Sequence, residues 1–222
     1  MTAITRRRAL VGTAGFSLLA SAPFTFATRH VAAGPPIVAV ATHHRVAQAF
    51  ITHLTRTTSF VDAPVFTEVL HKVGAVRKAF EQYRGCAVIG MVGNDAYPVL
   101  ETLARDAGAA VLCHGRHALT PIENRHVFLT TPTSAGVSAE FMRPLVDDGI
   151  PLHVEERVLV ERGSAPARTV GAGGGWIESL AAVYASMATG VPCQRRAITI
   201  EPPRPTTGRS MNLNIESFVM RV

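Results

Sequence analysis

Cys86-Ala-Val-Ile-Gly-Met-Val-Gly-Asn-Asp95 decides the reading of this chain, because an uncharged apolar run ends in the turn triplet Gly93-Asn94-Asp95. A short continuous apolar run bounded by turn residues predicts a buried strand. Beyond the turn, Val99, Leu100, Leu103 and Ala104 recur at helical spacing over 97–107, with Asn94 or Asp95 as N-cap and Gly108 as the stop. Ala109-Ala-Val-Leu-Cys113 then reads as a second apolar strand. Strand, helix and strand in this order predict a βαβ unit with parallel strands and a right-handed crossover.

The same alternation extends upstream. Residues 36–41 read as a strand and 44–55 as an amphipathic helix carrying Val46, Phe50 and Leu54; 59–62 predict a further strand, followed by a helix ending at Tyr83. Downstream, 127–130 predict a strand, 134–148 a helix that Pro144 kinks or ends, and 176–189 a helix stopped by Gly190 and Pro192. Two segments alternate instead, 152–160 imperfectly and 212–216 cleanly, which predicts half-exposed antiparallel strands at a sheet edge. The proline-rich stretch 201–210 reads as a loop. The expected fold is therefore α/β and three-layered, with a mostly parallel sheet of Rossmann-like or flavodoxin-like kind and antiparallel edge strands toward the C-terminus.

At the N-terminus, Arg6, Arg7, Arg8, Ala9 and Leu10 precede a mild apolar run diluted by Gly12, Thr13, Gly15 and Ser17. An arginine pair, a leucine and a weak apolar stretch make the pattern of a twin-arginine (Tat) signal; an ordinary secretory n-region is the alternative. The run is a poor match to the ~20 strongly apolar residues of a spanning helix, so membrane contact is expected only through this signal segment. Val31-Ala32-Ala33 before Gly34 fits cleavage best and Ala27 comes second, giving a signal over 1–33 and a single domain over 34–222. Loss of Arg6, Arg7, Arg8 and Arg29, in a segment without acids, lowers the formal charge from +6 to +2. That balance gives no footprint for nucleic acid. Cys86, Cys113 and Cys193 form no CxxC or CxxCH unit, so no zinc ribbon or c-type haem is encoded, and no cofactor is named by the sequence.

Parallel sheets bind ligands outside the carboxyl ends of their strands. The residues expected there are Thr42, His43, His44, Asp62, Gly93, Asn94, Asp95, His114, Arg116 and His117. His43, His44, His114 and His117, with Asp95, have the donor types of a divalent metal site, against the plainer reading of caps and solvated loop residues. Asn94, Asp95 and Arg116 are candidates to orient a small polar ligand, with free amides at the helix start attracting an anion. Gly171-Ala-Gly-Gly-Gly175 lacks both GxGxxG and GK[ST] and reads as a connector; no GxSxG elbow is present.

Gly85-Cys-Ala-Val-Ile-Gly90, Leu100-Glu-Thr-Leu-Ala-Arg-Asp-Ala-Gly108 and His114-Gly-Arg-His117 together resemble a group of uncharacterised bacterial proteins exported by the twin-arginine route. The resemblance implies export and α/β architecture, and no catalytic residues. The function expected is that of a periplasmic small-ligand-binding protein or an accessory factor for a redox or transport system, with the Tat translocase as partner during export. The alternative is a periplasmic hydrolase or metal-assisted enzyme on the histidine-rich edge, so enzyme status stays open.

Overall fold

In the computed structural model, five fully buried residues, Ile37–Ala41 (β1), lie between Val61–Asp62 (β2) and Ala87–Gly93 (β3), parallel to both. The structure describes residues 37–41, 44–58, 61–62, 73–145, 151–159, 164–171, 175–190 and 212–222. The chain divides into two units, Met1–Ala32 and Ala33–Val222, and all described residues belong to the second. The expected signal residues Arg6, Arg7, Arg8 and Leu10, both cleavage positions, His43, Cys193 and the 201–210 loop lie outside the described residues.

The remaining strands are Ala110–Leu119 (β4), Asn124–Thr130 (β5), Pro151–Val158 (β6), Ser164–Gly171 (β7) and Leu213–Arg221 (β8). They complete one sheet in the order β2-β1-β3-β8-β4-β5-β6-β7. Strands β1, β2, β3, β4 and β7 run one way and β5, β6 and β8 the other. Helices Arg45–Thr57 (α1), Val137–Met142 (α4) and Trp176–Thr189 (α5) pack on one face, while Val73–Gln82 (α2) and Tyr97–Asp106 (α3) pack on the other. This is the expected three-layer α/β fold, with a mixed sheet.

Several local expectations are corrected. Strand β8 is antiparallel, as read, but it is central rather than marginal, inserted between β3 and β4. The cause is the apolar continuation Phe218-Val-Met220: from Ile215 to Met220 every residue is buried. The crossover strands β3 and β4 are therefore co-directional but not adjacent. Strand β6 is likewise internal, parallel to β5 and antiparallel to β7. Helix α4 ends at Met142, ahead of Pro144, and Ser134 belongs to a separate 3₁₀ turn. Neither Asn94 nor Asp95 caps α3, whose N-cap is Ala96 without a side-chain hydrogen bond.

Close packing at the sheet centre depends on Gly90, whose β8 partner Phe218 places its ring where a β-carbon would stand. Phe218 in turn leans against Tyr97 of α3, at 5.7 Å between ring centroids. This anchors the start of α3 over the β8–β4 pair.

Candidate functional site

Strand β4 runs to Leu119, beyond the expected end at Cys113, because it pairs with β8 on one side and β5 on the other over that length. Side chains alternate along a strand. His114 and Arg116 therefore face α3, whereas Gly115 and His117 face α5, and the two histidines do not converge.

On the α3 face, the strand register sets Arg116 directly opposite Glu216 of β8. His114 donates from Nε2 to one Glu216 carboxylate oxygen, and Arg116 Nε lies 3.5 Å from the other. Tyr97 stacks on the His114 ring, with centroids 3.8 Å apart and planes 12° from parallel. Glu216 is nearly buried, yet the Arg116 side chain is 65% exposed. The guanidinium fork thus touches the carboxylate through one nitrogen while its outer N–H groups face water, an arrangement suited to a second planar anion. Burial, with Glu101 and Glu216 nearby, raises the Tyr97 phenol above its ordinary range, so it remains a proton donor. Its hydroxyl is buried and has no hydrogen-bond partner among the described residues. Asn94 and Asp95 are exposed on the turn that follows β3, one step beyond Val92 and Gly93, which pair with Glu216 and Ile215. The turn and Arg116 consequently lie at the same end of the sheet.

The α5 face carries a different constellation. His117 Nδ1 is 2.6 Å from His126 Nδ1, and His117 Nε2 is 2.6 Å from Ser217 Oγ. Ser217 continues to the Tyr184 hydroxyl at 2.7 Å, which Cys113 Sγ reaches at 3.7 Å. Burial pulls both imidazoles well below their ordinary range, His126 to about 3, so the pair is neutral. Burial likewise pushes the Cys113 thiol up to about 12, leaving it protonated. A serine, a base and a group orienting that base have the order of a nucleophilic relay. Here Ser217 and His126 have no exposed surface and His117 only 2%. Rings of Trp176, Phe128 and Phe141 close over the histidines. The relay can pass or store a proton in place, but it presents no face to a substrate.

The remaining candidates are separated. His44 is the N-cap of α1, with Nδ1 accepting from the Val46 N–H at 3.2 Å. His117 has both ring nitrogens engaged by His126 and Ser217, which leaves it no lone pair for a metal. Among the described residues, no group of three or more His, Cys, Asp or Glu is placed to hold a metal ion. Gly175, at the end of the glycine run, is the N-cap of α5. Five participants were not legible as site residues: Tyr97, His126, Tyr184, Glu216 and Ser217. For Glu216 and Ser217 the signal is period-two alternation across 213–221, which sorts that segment into two facing sets; Tyr97, His126 and Tyr184 join only through the packing of α3, β5 and α5.

Comparison of the chain with protein-family models, with curated proteins and with solved structures gives no match. Among the described residues, no helix is long and apolar enough to cross a membrane.

Proposed function

We propose that the chain is exported by the twin-arginine route and acts in the periplasm as a small-ligand-binding or accessory protein, seating an anionic group at Arg116. The Arg6-Arg7-Arg8-Ala-Leu10 pattern supports export. The observation that carries the ligand reading is the Arg116 guanidinium, tethered by a nearly buried Glu216 and otherwise open to solvent. A preorganised guanidinium loses less freedom on binding than a free one, and its planar fork matches a carboxylate or phosphate. The His114–Glu216 pair and the Tyr97 ring form the wall behind it, and the exposed Asn94–Asp95 turn lies at the same end of the sheet.

Isothermal titration of the processed protein with succinate and with inorganic phosphate tests this. The expected result is saturable binding of at least one anion, weakened about tenfold or more by Arg116→Ala, the size of a lost charge-assisted hydrogen bond. Arg116→Lys is expected to recover only part of that loss. Absence of binding, or equal affinity in Arg116→Ala, would overturn the assignment of Arg116.

A further inference from the structure

We propose that the His117–His126 pair is an acid-operated latch for α5: the single proton shared between the two Nδ1 atoms holds the α5 layer on the sheet, and a second proton releases it. At 2.6 Å, the Nδ1 pair has room for one proton. Protonating both atoms would set N–H against N–H inside the core. His117 cannot turn away, since its other nitrogen is held by Ser217, and Ser217 is held by Tyr184 of α5. Among the described residues, the buried His126 Nε2 atom has no hydrogen-bond partner, so a charge formed there finds no acceptor among them. Trp176, also on α5, contacts both imidazoles, at 4.8 Å from His126 and 5.6 Å from His117. The latch therefore joins two turns of one helix to three strands, β4, β5 and β8.

Among the described residues, no carboxylate on the packed elements offsets the second proton. Glu156 of β6 shares this face, but its oxygens are filled by Thr130, Gly136 and Ser138. Cys113 and Tyr184 stay neutral, and His114, across the sheet, adds repulsion when charged. Glu140 of α4 and Glu178 of α5 are exposed and half-exposed, and neither hydrogen-bonds to an imidazole. Because both groups are neutral in the folded state and basic in the unfolded one, stability is full above the ordinary histidine range and falls as pH drops below it. Each histidine contributes roughly a tenfold loss in the folding equilibrium per pH unit there, so the pair contributes roughly a hundredfold.

Trp176 is the sole tryptophan and reports the latch directly. In the unmodified full chain, emission is expected to change between about pH 6 and pH 4 with the steepness of two protons. His126→Gln is expected to reduce that steepness to one proton. Long-range proton–nitrogen NMR at pH 7 requires no variant and should show two neutral imidazoles of opposite tautomer. Emission unchanged down to pH 4, undiminished steepness in a folded His126→Gln protein, or a charged imidazole at pH 7 would each overturn the proposal.

Discussion

Gly115→Ala is expected to cost about 3–5 kcal/mol of folding stability, a very large effect for one methyl group. A β-carbon at Gly115 would lie 2.5 Å from Ser217 Oγ, 2.8 Å from the Tyr184 hydroxyl and 2.9 Å from His117 Nε2. Ser217 Oγ hydrogen-bonds to both of the other atoms, and all three residues are buried, so none can retreat without breaking one of those bonds. Two penalties follow: crowding of a close-packed core, and a buried donor or acceptor left unpaired. Urea unfolding monitored by Trp176 emission measures the loss. A change below about 1 kcal/mol would mean that the relay does not pack as described.

The second large effect is expected at Glu156. Its carboxylate accepts from the Gly136 N–H at 2.8 Å, the Ser138 N–H at 3.0 Å, Ser138 Oγ at 2.6 Å and Thr130 Oγ1 at 3.0 Å. Burial alone would raise its pKa, but these hydrogen bonds outweigh it and hold the carboxyl below the ordinary range. Glu156→Ala removes the common acceptor from the turn before α4 and is expected to cost about 3–5 kcal/mol; Glu156→Gln keeps one carbonyl and should cost less. A carboxyl with a depressed folded-state value adds stability above its unfolded value near 4.5, and that increment is lost as pH falls through the folded value. The gap between wild type and Glu156→Gln should therefore be widest near neutrality and narrow below about pH 4. A gap independent of pH would contradict an ionised Glu156.

The sequence exposed the β3–α3 half of the fold because residues 86–92 are buried on both faces and give an unbroken apolar run. It hid the central position of β8 for the opposite reason. Glu216 and Ser217 are polar residues in a buried strand, and their partners His114 and His117 lie 102 and 100 residues away in the chain. A local reading treats such residues as exposed. The same satisfied polarity ended β4 too early: after Cys113, Gly115 is chosen for clearance and His117 for hydrogen bonding, so the apolar signal stops while pairing continues. Arg116 was legible as a candidate by its nearness to a strand end, whereas the Glu216 that positions it appears only once β8 lies between β3 and β4.

Native mass spectrometry of the protein recovered from the periplasm of an expressing bacterium, wild type beside Arg116→Ala, tests the central claim most directly. The expected result is a processed chain beginning at Gly34 that carries a small acidic ligand, shed on denaturation and missing from the variant. A chain that starts at Met1, a wild type that carries no ligand, or a ligand retained after Arg116→Ala would contradict an exported anion-binding protein built around that guanidinium.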